Sequence, residues 1–221
     1  MNALSPSTAT SVQKRPTVDT SRAQARERIL ATADTLFSRR GVHKVGVDEL
    51  ISSSGVAKAT FYRHFPSKDD LVLAFLARAE QRWTHELIEA GAQRRGTTPE
   101  QTLLAVFDVL DECFNRPDDF EGCTFINVLL EMGASHPLGQ ASIGYLDNLR
   151  GLARRWATEA GLTEVDSFAR SWHILITGSI VSASEGDRSS AGRARQMAQL
   201  LIDQHRPASR RPLNPTAPVQ T

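Results

Sequence analysis

An all-α fold of about nine helices is what this 221-residue sequence predicts. Three observations carry that expectation. Apolar residues recur three and four apart through every long segment, the spacing that lines one face of a helix. Apolar–polar alternation, the mark of a half-buried strand, is missing. The breaks between segments carry the chemistry of helix ends, with Gly41, Gly96 and Gly161 as stops and Ser67 and Thr98 as caps.

Residues 1–20 are rich in Ser, Thr and Pro without a period, and a flexible arm is expected there. The first helix follows from Ser21, with Ile29, Leu30, Ala33, Leu36 and Phe37 on one side. It ends at Gly41 behind Arg39 and Arg40, cations that suit a helix C-terminus. A short second helix over about 47–53 buries Val47, Leu50 and Ile51. A short third over about 57–64 buries Ala57, Phe61 and Phe65. Ser67 with Asp70 three residues on is a capping box for the fourth helix. That helix runs from Lys68 to about Ala90, with Leu71, Val72, Phe75, Leu76, Ala79, Trp83 and Leu87 on its inner side.

The larger half continues in the same way. Thr98, Pro99 and Gln101 start a fifth helix, which carries Leu103, Leu104, Val106, Phe107, Leu110 and Phe114 toward Pro117. Further helices are expected over about 123–134, 138–160, 164–184 (capped by the "TEVD" stretch) and 188–204. The proline-rich residues 206–221 read as a disordered tail. The chain thus divides into an arm (1–20), a head (21–68), a connecting helix (68–90), a C-terminal domain (91–205) and a tail (206–221).

Composition narrows the function classes. Hydrophobic residues make up 40% and charged residues 23%, which fits a soluble globular protein. No apolar run reaches membrane-spanning length, and the N-terminus lacks the apolar core of a secretory signal, so a cytoplasmic protein without membrane partners is expected. Cys113 and Cys123 are too few for a disulfide framework or a zinc site. No nucleotide-binding loop and no G-x-S-x-G elbow occurs, so neither an enzyme nor a cofactor or metal is expected. Net charge is only +1, but residues 39–68 carry six Lys or Arg against two Asp or Glu. A positive field gathers where a polyanion could use it.

Within that field lies "SSSGVAKATFYRHFPSKDDLV", Ser52 to Val72. Two short helices joined by a turn at Gly55, with Val56 anchoring it, form a helix-turn-helix. The helix after the turn would hold Lys58, Ala59, Thr60, Tyr62 and Arg63 out to a major groove. Lys58 or Arg63 can donate to guanine, and small Ala59 permits close approach and contact with a thymine methyl. Thr60, Tyr62 and His64 can donate to phosphate, and Lys68 opens the fourth helix, where backbone N–H groups also favour an anion.

The segments "ILATADTLFSRRG", "VDELISSSGVAKATFYRHF" and "PSKDDLVLAF" resemble the DNA-binding domain of the TetR/AcrR family of bacterial transcriptional regulators. The pattern G-V-x-K-x-T-x-Y-x-H-F followed by S-K-x-x-L carries the likeness over about Arg26 to Leu76. The resemblance implies base-reading roles for Lys58, Ala59 and Arg63, and backbone contacts from Thr60, Tyr62, His64 and Lys68. Two departures stand out. Val45-Gly46-Val47 replaces the hydroxyl residue that commonly caps the family's second helix, leaving His43 and Lys44 as substitutes for its phosphate contact. Ile51 stands where the family often has alanine.

The resemblance also implies a C-terminal domain that dimerises and holds a small organic ligand. Ala169, Gly178, Ser179, Ala183, Ala194 and Ala198 make the last two helices suited to close packing in a homodimer interface. The candidate pocket set is Phe107, Phe114, Phe125, Asn127, Glu131, Trp156, Trp172 and His173, aromatic walls with a few polar groups. Cys123 opens a helix, where a thiol with a lowered pKa would sense oxidants or electrophiles. The expected function is a homodimeric repressor released by a small-molecule ligand from a palindromic double-stranded DNA operator. An activator of the same family stays open, as does a helical interaction module without DNA binding.

Overall fold

The computed structural model describes residues 18–116 and 120–210. Among them run nine helices and no strand. They are α1 (Val18–Arg40), α2 (Val47–Ser54), α3 (Lys58–His64), α4, α5 (Pro99–Phe114), α6 (Thr124–Met132), α7 (Pro137–Glu159), α8 (Val165–Ser184) and α9 (Ser190–His205). Helix α4 is continuous from Lys68 to Arg95 but changes character, α-helical over Lys68–Ala79, π-helical over Glu80–Glu89 and α-helical again over Ala90–Arg95.

The head is α1 to α3 packed on the start of α4. Ile29, Leu50, Phe61, Leu71 and Leu76 are fully enclosed at its centre. Phe37 meets Phe75 edge-on with ring centres 5.4 Å apart, tying α1 to α4. The predicted capping box is present, with Ser67 Oγ accepting from the Asp70 N–H at 3.1 Å and Asp70 accepting from the Ser67 N–H at 3.0 Å. Replacing Ser67 with Ala is expected to cost about 1 kcal/mol, read as a lower melting temperature at fixed protein concentration.

The structure corrects several expectations. Ala57 is exposed rather than buried, because it is the N-cap of α3 and lies outside the helical repeat. On α4 the inner side is Glu80, Thr84 and Ile88, whereas Ala79, Trp83 and Leu87 are only half-buried. A π-helical turn holds more residues than an α-turn, so the stripe slips out of the 3.6-residue phase that predicts it. The "TEVD" stretch does not cap α8: Glu164 takes a left-handed φ of 50°, and Thr163 Oγ1 donates to the carbonyl of His205 instead. Gln101 bonds the N–H of Thr97, one residue before the cap, at 3.0 Å.

At the chain ends, α1 already begins at Val18, inside the expected arm, and the rest of the arm lies outside the described residues. Arg206 binds Glu100 and Asp203, and Ala208–Arg210 forms a short 3-10 turn, so the tail's first residues are anchored. Residues 211–221 lie outside the described residues.

The body is α5 to α9 around Phe107, Phe114, Phe168 and Trp172. Of the small residues expected at a dimer interface, Ala169, Ser179, Ala183, Ala194 and Ala198 are buried within the protomer, where α8, α9 and α5 pack together. Gly178 faces outward among larger apolar neighbours on the same face, Ile174 (66% exposed) and Val181 (50%). On α9, Met197 (56%) and Leu200 (69%) are similarly uncovered.

Candidate nucleic-acid interface

The site is built on α2, its turn and α3. Gly46 is the N-cap of α2, and no side chain caps that helix. A Cβ added there would meet nothing within 4 Å. Gly55 ends α2 in the left-handed region at φ 63°, which a side chain would strain. The turn then lets α3 leave at an angle, with Phe61 and Phe65 driven into the head core and ring centres 6.3 Å apart.

With those two residues pointing inward, the rest of α3 is held outward. Lys58, Ala59, Tyr62 and Arg63 are exposed, and Thr60, His64 and Lys68 are half-buried at the edges. Tyr62 is 41% exposed, its ring edge resting on Phe61 at 5.5 Å, so its position is fixed while its hydroxyl is free to donate. Arg63 reaches Thr60 Oγ1 at 3.4 Å. Lys58 stands 3.8 Å from Asp48, but both are well exposed, and such a pair holds little energy against a polyanion. All seven predicted residues thus lie on α3 or at the start of α4, outside the enclosed core of the head.

Behind α2, Lys44 is exposed beside Gly46. His43 is held by the body: its ring Nε2 lies 3.3 Å from the Glu131 carbonyl. The Glu131 carboxylate accepts the N–H of Val42 at 2.8 Å and also the N–H of His43. Two successive backbone N–H groups form a concave seat for an anion, here filled by a carboxylate from α6. Gly41, at φ 81°, makes room for it, since a Cβ there would stand 3.0 Å from Glu131 Oε2. This latch between head and body joins residues 89 apart in sequence, and no local pattern announces it.

A second tie joins α1 to α4. Arg78 binds Glu27 at 2.7 Å and Asp34 at 2.9 Å, and Arg82 binds Asp34 at 3.2 Å. Burial nonetheless pushes the Asp34 carboxyl up, against the pull of both arginines.

Between these two ties opens a cleft of about 750 Å³, walled by Phe37, Phe75, Trp83 and Phe120 with Asn127 and Glu131. Of the predicted pocket set, Asn127 and Glu131 line it. The others sit elsewhere. Phe107 packs on Trp172 at 5.9 Å and Phe125 stacks on Tyr145 at 5.2 Å. Phe114 meets Phe120 at 4.7 Å, and Trp156 lies under the Arg155 guanidinium. Trp172 Nε1 donates to the Leu103 carbonyl at 3.3 Å. His173 is half-buried with Nδ1 enclosed and unpartnered, and burial pushes its pKa down to about 4, keeping the ring neutral. Cys123 is the N-cap of α6, but burial pushes its thiol up, outweighing the backbone N–H groups of Ile126 and Phe125 that favour the thiolate. The lowered pKa expected of a helix-end thiol is not found.

Comparison with known proteins agrees with this geometry. The sequence model of the family described as bacterial regulatory proteins, tetR family, matches residues 29–75, from the middle of α1 into the first part of α4. The transcriptional activator FasR of Mycolicibacterium smegmatis is 33% identical over 96 residues, 41% of this chain and 42% of that protein. The transcriptional repressor NemR of Escherichia coli is 28% identical over 107 residues, 48% of this chain and 53% of that protein. The matched region thus spans about half the length of these curated relatives. A solved TetR-family transcriptional regulator from Streptomyces coelicolor covers 83% of this chain and 96% of its own, at 25% identity and a TM-score of 0.75. Residues 29–75 thus match the tetR family of bacterial regulatory proteins, and helix-turn-helix, connecting helix and helical body together share the fold of that solved TetR-family regulator.

Proposed function

We propose that this chain is a cytoplasmic, homodimeric DNA-binding repressor, released from its operator by a small organic ligand. The observation that carries the reading is the face of α3. Its inner side is locked by Phe61 and Phe65, and its outer side offers Lys58, Ala59, Thr60, Tyr62 and Arg63 with no strong carboxylate partner among the described residues. Lys58, Ala59 and Arg63 read base edges; Thr60, Tyr62, His64, Lys68 and Lys44 hold phosphates. One short recognition helix reads few base pairs, so two heads must act together on a palindrome.

The uncovered stripe of Ile174, Val181, Met197 and Leu200 supports that pairing. Helices α8 and α9 from two protomers would bury it as a four-helix interface. The ligand would enter the head–body cleft, whose aromatic walls suit an organic molecule. A ligand there competes for the space around Glu131 and shifts the position of the head. The shift can be no larger than the ligand's differential affinity for the two head positions.

The named relatives include both an activator and a repressor, so the sign of regulation is tested directly. Genomic fragments selected on the purified dimer identify the operator, and removal of the gene should raise transcription from it. A fall would make the protein an activator, and the absence of any selected fragment would make it an interaction module. The latch has its own test. In Glu131→Gln, one backbone N–H loses its acceptor, and amide exchange at Val42 and His43 should quicken about tenfold, as for a lost bond of about 1.4 kcal/mol. Unchanged exchange would mean that Glu131 does not hold the turn.

A further inference from the structure

The basic groups of the head are not all on the side of α3 that faces a groove. An open hollow of about 360 Å³ lies between α1 and the end of α3, walled by Arg22, Ala23, Arg26, Arg63 and His64. Arg22 and Arg26 are four apart on α1 and therefore stack on one face. Arg63 and His64 are the last two residues of α3. Three guanidinium groups and an imidazole thus meet in walls that hold no carboxylate among the described residues.

Several arginines elsewhere on this protein are paired, as Arg78, Arg95, Arg154 and Arg195 each are with an acid. Among the described residues no ion pair involves Arg22, Arg26 or Arg63. The cluster records its own unbalanced charge. Burial and then Arg22, Arg63 and Arg26 push the His64 pKa down, and His64 Nε2 is enclosed without a hydrogen-bond partner. The C-terminal dipole of α3 amounts to about half a charge and offsets one cation at most. Arg26 is also held in place, its guanidinium 5.3 Å over the Phe65 ring. Like charges gathered at a cost, with no counter-charge among the described residues, suit an anion that comes from outside. Arginine is the side chain whose planar fork matches a phosphate.

We propose that this hollow is a second phosphate seat, which takes a backbone phosphodiester of the DNA flank beyond the segment whose bases α3 reads. The proposal rests on the DNA-binding reading above and extends it: α1 is part of the footprint, and the operator has a required length on each side. Arg22 and Arg26, which measure the flank, are then separate from Lys58 and Ala59, and Arg63 borders both.

The test uses the full-length dimer with the selected operator in two lengths, one with flanks of several base pairs and one trimmed to the base-read core. Two variants are compared with wild type: Arg22→Ala with Arg26→Ala, and Arg22→Glu alone, which spares the contact with Phe65. Trimming should weaken wild-type binding about tenfold and weaken neither variant appreciably. On the long duplex the double variant should bind about tenfold more weakly. Its plot of log affinity against log salt should be shallower by about 0.9 per protomer, the share of one phosphate. Equal loss on long and trimmed duplexes, or no loss from Arg22→Glu, overturns the flank seat while leaving DNA binding intact. If wild type binds neither duplex, and Lys58→Ala changes nothing, the DNA-binding reading itself fails.

Discussion

Replacing Tyr62 and Lys68 together by Ala should lower operator affinity by at least about a hundredfold while the dimer stays intact. Neither side chain supports the core. Tyr62 is an exposed ring resting on Phe61, and Lys68 sits at the first turn of α4, where the Ser67–Asp70 cap holds the helix without it. In the proposed complex each would donate one charge-assisted bond to a phosphate, worth roughly 1.5–3 kcal/mol, and a dimer would lose both bonds twice. Tyr62→Phe separates the parts, since it keeps the ring and removes only the hydroxyl. The check is a titration of labelled operator at fixed salt, with the oligomer measured alongside. Loss of binding with intact dimers favours the regulator; unchanged binding, with both residues gone, would remove α3 and α4 from the interface.

Trp172→Ala is expected to destabilise the body by about 3–5 kcal/mol, the range for a fully enclosed large aromatic. Trp172 is 0% exposed, its ring meets Phe107 edge-on, and its indole N–H satisfies the Leu103 carbonyl on α5. The substitution therefore opens a cavity and removes the indole's bond to the Leu103 carbonyl, which keeps its partner within the helix. Trp172→Phe retains most of the packing and should cost roughly 1–3 kcal/mol. Denaturant midpoints at one protein concentration read both values, because a dimer's stability depends on concentration. A loss under about 1 kcal/mol for Trp172→Ala would mean that the ring borders an open space, as a pocket residue would.

These two cases also show what the sequence makes legible. The head is written locally. Capping residues at Ser67 and Thr98, glycines at Gly41 and Gly55, and a strict inner spacing at Phe61 and Phe65 each act within a few residues of themselves. Ala57, exposed where burial is expected, stands at a helix cap, where periodicity stops applying. The connecting helix is less legible, because the π-helical stretch Glu80–Glu89 is fixed by what packs on it. Glu80 is buried there, accepting from Thr84 at 2.7 Å and from Asn148 of α7 at 3.1 Å, so tertiary bonds set its phase.

Pocket and interface are the least legible, for one shared reason. An aromatic at helical spacing looks the same whether it packs on another ring, as Phe107 does, or borders a cleft, as Trp83 does. A small residue likewise looks the same inside the protomer, as Ala198 lies, and outside it, as Gly178 lies. The functional parts that sequence reasoning missed depend on distant partners. Glu131 stands among the pocket candidates but acts as a latch only because α6 brings it to Gly41. Arg22 and Arg26 have a local signal in their spacing of four, but only the approach of Arg63 and His64 gives it meaning.

Binding of the wild-type dimer to its selected operator fragment, measured at salt concentrations between about 50 and 200 mM, tests the central claim most directly. A protein that neutralises phosphates through Lys44 and Lys68 of both protomers should lose affinity linearly on logarithmic axes, by about 10²-fold across that range. Affinity that is absent at the low end, or that does not change with salt, would contradict a DNA-binding role for this face.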